Sequence, residues 1–101
     1  MTPATLHILL ALAGGELHGY ALMREVSAQS GGAVNLGPGT LYAALARMLD
    51  AGLIVEVDAP TGGERRRSYR LTAHGRAAAD AEVERLSGLV RRARRRLARS
   101  S

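Results

Sequence analysis

Apolar residues recur along this chain with two different spacings, and the change of spacing marks where helix gives way to strand. The stretch TPATLHILLALA, Thr2 to Ala13, predicts a helix with Thr2 as its cap and Pro3 in the first turn. Leu6, Leu9, Leu10 and Ala13 make one apolar stripe, and Ile8 and Leu12 a second. A helix apolar on most sides needs cover on most sides. One face is therefore expected in the chain's own core and another against a second subunit. A second helix is predicted from about His18 to Ser30, closed by Gly31 and Gly32, with Leu22, Met23 and Val26 inward. A third runs from about Pro38 to Ala51. Its Leu41, Leu45, Met48 and Leu49 fall at i, i+4, i+7 and i+8, a buried stripe, and Gly52 follows as a C-terminal cap.

Past Gly52 the period shortens to two. Leu53 to Val57 reads as a strand, Asp58 to Glu64 as turn chemistry, and Arg66 to Thr72 as the returning strand. In that second strand Tyr69 and Leu71 alternate with Ser68 and Arg70, so one side faces the core and the other water. Thr72 then caps a last helix running to about Arg99. Within it Ala79, Val83, Leu86, Val90, Ala93 and Leu97 are spaced 4-3-4-3-4, a narrow coiled-coil seam. The order helix, helix, helix, strand, strand, long helix predicts a mainly α fold with a two-stranded β-wing. The expected organisation is a winged helix-turn-helix over residues 1–72 and a C-terminal dimerisation helix over residues 73–101.

Charge adds a partner to this outline. The 101 residues suffice for one small domain, and their formal net charge is +5, with arginine as the sole basic side chain. Such a balance points to nucleic acid or another anionic surface. Arg65, Arg66 and Arg67 stand side by side at the bend of the hairpin, where they repel one another unless a partner absorbs the charge. Phosphate contact or insertion into a narrow groove would use all three. The exposed face of the third helix carries Gly39, Thr40, Ala43, Ala46, Arg47 and Asp50, with Tyr42 at its flank. Small residues behind Pro38 let the backbone approach a groove floor, and a helix N-terminus favours phosphate. Thr40 and Tyr42 can hydrogen-bond phosphate or base edges, and Arg47 can reach backbone or guanine. Taken singly, an ordinary exposed helix face and a solvated loop would explain these residues; placed together they favour duplex DNA. The rival reading is a winged-helix protein-interaction module whose wing arginines meet an acidic partner surface.

Other functions find little purchase. The absence of cysteine excludes disulfides and thiolate metal sites. His7, His18 and His74 show no ligand spacing, and no nucleophile–base grouping or phosphate-binding glycine motif occurs. No catalytic residue, metal or cofactor is expected. The apolar run from His7 to Ala13 is too short to span a bilayer and has no basic segment before it, so a cytoplasmic protein is expected. In the last helix Asp80, Glu82 and Glu84 occupy the first half and Arg91 to Arg99 the second. Laid antiparallel about Gly88, the seam residues of two copies fall opposite one another, with Glu82 near Arg94 and Glu84 near Arg92. A two-fold homodimer is expected, completed by Leu6 and Leu9 of the first helix. Its recognition helices would sit roughly 34 Å apart on a pseudo-palindromic operator.

Three segments, HGYALMREV, GPGTLYAALARMLDAGLI and ERRRSYRLTAHG, together resemble the PadR family of transcriptional regulators. That family shows an HGY opening to its second helix, here His18-Gly19-Tyr20, a G-T-L-Y recognition helix, here beginning at Gly39, and a basic wing closing on Y-x-L-T-x-x-G, here Tyr69 to Gly75. The resemblance implies Tyr20, Thr40, Tyr42 and the wing arginines as DNA contacts. It also implies a repressor relieved by a small-molecule effector near the dimer interface. Two departures stand out: Ala43 where the family commonly has proline, which leaves the recognition helix straighter, and Met48 for leucine in the core. With neither Trp nor Phe and only three Tyr, an aromatic effector pocket is hard to build.

Overall fold

Thr2, as expected, opens the first helix by accepting a hydrogen bond from the Thr5 N–H at 3.1 Å. In the computed structural model, which describes residues 1–57 and 67–100, the elements are α1 (Pro3–Ala13), β1 (Leu17–His18), α2 (Gly19–Gln29), α3 (Pro38–Asp50), β2 (Ile54–Val57), β3 (Ser68–Leu71) and α4 (Ala73–Ser100). The expected turn from Asp58 to Glu64, with Arg65 and Arg66, lies outside the described residues.

The face that α1 buries is Ile8, Leu9, Ala11 and Leu12, where the sequence suggested Leu6, Leu9, Leu10 and Ala13 as one stripe. A helix apolar all round gives periodicity no single answer, and its neighbours choose the side. Leu9 is wholly buried in the protomer's own core, so the expectation that it meets a second subunit is corrected. The core also takes Leu22 and Val26 from α2, Leu41, Ala44, Leu45 and Met48 from α3, and Ile54 and Tyr69 from the sheet.

The hairpin is one part of a three-stranded antiparallel sheet of order β1-β3-β2. Leu17 and His18 pair with Tyr69 and Ser68, while Ile54 to Val57 pair with Leu71 to Ser68. Strand β1 was not expected, because two residues are too short to display an alternation. His18, expected to begin α2, is instead that helix's cap: its Nδ1 accepts from the Ala21 N–H at 3.2 Å.

Both helices of the helix-turn-helix end in the same way. Gly31 and Gly52 adopt positive φ, at 63° and 74°. In α3 the Gly52 N–H donates to Leu49 O and the Leu53 N–H to Met48 O, and in α2 Gly31 and Gly32 make the equivalent pair of bonds to Ala28 and Ser27. Such paired bonds satisfy carbonyls that a helix end would otherwise leave open.

Thr72 ties the recognition helix, the wing and α4 to one another. Its N–H donates to Leu53 O at 3.1 Å. Its hydroxyl donates to Gly52 O at 2.7 Å and accepts from the Gly75 N–H at 2.9 Å. Gly75 packs so tightly here that a Cβ would overlap the Leu53 carbonyl oxygen. The first turns of α4 therefore belong to the body, and Ala79 is buried in its core. Its expected place in a subunit seam is corrected accordingly. The result is a winged helix-turn-helix with a long C-terminal helix.

Gly75→Ala should destabilise the fold by about 3 kcal/mol, since the obstacle is backbone that cannot rotate away. Chemical denaturation checks this, and a shift under about 0.5 kcal/mol would mean that the helix start can slide.

Candidate nucleic-acid interface

The outer face of α3 follows from the position of its buried one. With Leu41, Ala44, Leu45 and Met48 inward, Pro38, Gly39, Thr40, Tyr42, Ala43, Ala46 and Arg47 are exposed. Every α3 residue expected at a DNA contact is therefore accessible. At the helix start Gly37 is the cap, no side chain caps the first turn, and Pro38 brings no N–H. The Gly39 and Thr40 N–H groups stand at the positive end of the helix dipole, free of any side-chain cap and suited to an anion.

Tyr42 connects this face to its surroundings. Its ring lies over Gly19, where a Cβ would meet the phenol hydroxyl and the ring would have to shift. That close approach brings the N-terminal turn of α2, with Tyr20 63% exposed, alongside α3. Tyr42 also lies near Tyr69 in β3. The three tyrosines thus divide by role: Tyr20 and Tyr42 exposed, Tyr69 buried. This contact between Gly19 and Tyr42 was not visible in the sequence, where His18-Gly19-Tyr20 reads only as a helix opening.

At the root of the wing, Arg67 Nε, just before β3, is 3.5 Å from Glu56 Oε1 on β2. Arg70 reaches Glu16 at 3.6 Å. Both pairs are solvent-exposed, and such pairs contribute roughly 0–1 kcal/mol. An incoming phosphate can displace the carboxylate from Arg67 at little cost. Neither acidic partner was foreseen, because the pairing joins residues distant in the chain. Arg65 and Arg66 lie outside the described residues.

Burial pushes the Tyr69 phenol above its ordinary value of 10.0, the Glu56 carboxylate and Tyr42 add to the shift, and Arg67 opposes it. The neutral phenol is thus favoured in the folded protein. Its stabilising contribution is complete below the unfolded value and is lost as pH rises through the higher folded value.

Away from this face, the apolar stripe of α4 continues past the end of the body. Val83, Val90 and Leu97 are 41%, 47% and 68% exposed. Leu6, Leu10, Val83, Leu86 and Val90 line an apolar groove of about 500 Å³ between α1 and α4. Leu10, not expected at an interface, joins Leu6 there. Glu82 is held by its own neighbour, with Arg85 donating to both carboxylate oxygens at 2.8 Å. Among the described residues no group of His, Asp or Glu could hold a metal ion, and no helix is long and apolar enough to cross a membrane.

A family model described as "Transcriptional regulator PadR-like family" matches residues 8–81. Transcriptional regulator Rv3488 of Mycobacterium tuberculosis is 40% identical over 86 residues, 85% of this chain and 78% of that protein. A PadR family transcription regulator from Clostridium difficile superposes with a TM-score of 0.74 at 23% identity, over 89% of this chain and 93% of that one. Bacillus subtilis PadR, solved in complex with operator DNA, superposes with a TM-score of 0.73 at 24% identity, over 82% of this chain and 48% of that one.

Subtracting a spectrophotometric titration of Tyr69→Phe from that of the native protein should isolate one phenol that ionises above pH 10.0. A difference curve centred at or below that value would show that water reaches the ring.

Proposed function

The chain belongs to the PadR-like family of transcriptional regulators, and on that premise we propose that it is a homodimeric repressor binding a pseudo-palindromic operator through α3 and the wing. The observation that carries this reading is the start of α3. A helix N-terminus with no side-chain cap, small exposed residues behind it and two exposed tyrosines beside it form a surface with no role in the core. In this reading the Gly39 and Thr40 N–H groups take a phosphate, which fixes the register of the helix. Thr40, Tyr42 and Arg47 then meet base edges or flanking backbone, and Tyr20 reaches the backbone from α2. Arg65, Arg66 and Arg67 follow the neighbouring phosphates along the wing. The operator complex of Bacillus subtilis PadR supports the assignment by likeness of fold.

Dimerisation is proposed through the groove between α1 and α4. Leu6, Val83, Leu86, Val90, Ala93 and Leu97 are the expected contacts that remain available, and Leu10 is added to them. A second copy of α4 would cover the stripe that this protomer leaves in water. An effector of the kind the family resemblance implies would act from the same groove, where it would alter the spacing of the two recognition helices.

Two substitutions separate positioning from recognition. Arg66→Ala should weaken binding to all duplexes about equally, whereas Thr40→Ala should change the preference among sequences selected from a random duplex pool. Unchanged preference after Thr40→Ala would remove that residue from base recognition. Failure of the unaltered protein to retain any duplex at low salt would end the proposal as a whole.

The double change Leu86→Asp, Val90→Asp should yield a folded monomer by sedimentation, with operator affinity lower by about 100-fold through loss of the second half-site. A dimer that survives both charges would place the subunit contact elsewhere.

A further inference from the structure

The net positive charge of this chain comes from its C-terminal turns and not from the body that holds α3. Residues 1–90 carry eight arginines against nine carboxylates, a net charge of −1, while residues 91–101 carry six arginines and no carboxylate. The body that holds α3 thus has no net positive charge, although its wing carries Arg65, Arg66 and Arg67. The excess is confined to the last turns of α4, where every residue from Leu89 to Ser100 is exposed.

Four of these arginines share a face. Arg92, Arg95, Arg96 and Arg99, at i, i+3, i+4 and i+7, line a shallow cleft of about 240 Å³ that no apolar or aromatic side chain enters. At about 100° per residue, this row lies roughly opposite the stripe of Val83, Leu86, Val90 and Leu97. A dimer closed through that stripe would leave the row facing outward on both subunits. Nor does the protomer neutralise it: the ion pairs among the described residues are Arg67–Glu56, Arg70–Glu16 and Arg85–Glu82, and none involves the row. Glu82, a candidate to meet the basic half of a partner helix, is already bound at both oxygens by Arg85.

We propose that Arg92, Arg95, Arg96 and Arg99 form a second nucleic-acid surface, one that binds the phosphate backbone of duplex DNA without regard to sequence. This rests on the DNA-binding reading above and assigns its long-range electrostatics to α4 instead of to the domain that reads bases. Arginine matches phosphate geometry, and four closely spaced cations suit a partner whose charge is dense and continuous. A protein partner would want an aromatic or aliphatic anchor at the centre of the contact, which this cleft lacks. The surface would hold the protein near DNA while α3 searches for its operator.

The test compares the native protein with the quadruple Gln variant (R92Q, R95Q, R96Q, R99Q) and the matching quadruple Lys variant, which preserves charge. Affinity is measured for an arbitrary duplex and for a selected operator across a range of salt concentrations, with oligomeric state followed by sedimentation. The Gln variant should bind both duplexes more weakly by the same factor, with an unchanged dimer. Between about 50 and 200 mM salt the native protein should lose roughly 100-fold more affinity than the Gln variant, as expected for four phosphate contacts. The Lys variant should retain most of the native salt dependence. If the row meets the operator duplex itself, the Gln variant's deficit shrinks as the duplex is shortened. If it meets a second duplex, a second binding equivalent disappears. A Gln variant that keeps native affinity and salt dependence would overturn the inference while leaving the DNA-binding reading intact. A Gln variant that falls apart into monomers would also overturn it, by assigning the row to the subunit contact. Absence of duplex binding by the native protein would instead defeat the underlying reading.

Discussion

Three hydrogen bonds at Thr72 hold the end of α3, the root of the wing and the start of α4 in one arrangement. The hydroxyl serves in both directions, donating to Gly52 O and accepting from the Gly75 N–H, while the backbone N–H reaches Leu53 O. Gly52 can follow α3 because its φ is positive, and Gly75 can lie against the Leu53 carbonyl because it has no Cβ. Each partner therefore depends on the others. A recognition helix is useful only if the wing and the long C-terminal helix are fixed with respect to it, and this small polar junction does so without occupying the apolar core.

A second close approach, at the other end of α3, sets the proposed DNA-facing surface. Tyr42 covers Gly19 and so joins the first turns of α2 and α3, while the buried Tyr69 stands behind them in the sheet. On α2 and α3 the exposed surface is assembled from small residues, helix ends and phenols, and the arginines proposed to join it lie on the wing. Salt bridges at the wing root, Arg67 to Glu56 and Arg70 to Glu16, moderate what charge there is.

Much of this was legible from residue order. The caps at Thr2 and Thr72, the glycines at 31 and 52, the stripe of Leu41, Leu45 and Met48 and the alternation around Tyr69 all express local rules, and each element formed close to where those rules put it. Exposure of Gly39, Thr40, Tyr42 and Arg47 followed from the same arithmetic, since a helix with one buried face must present the other. Residues without a local signature were harder to read. Strand β1 is two residues long, and His18 looked like helix when it is the cap before one.

By itself, then, the sequence determined the kind and order of every element except β1 and which face of α3 meets solvent, because periodicity and capping act over a few residues. Tertiary structure alone decided which side of α1 is core, so that Leu9 went inward and Leu10 outward. It also decided that Ala79 belongs to the body while Val83 and Val90 on the same stripe do not. The physical reason is common to these cases. Where a helix is apolar on several sides, or a stripe runs beyond its support, burial is set by what packs against it, and that neighbour comes from a distant part of the chain.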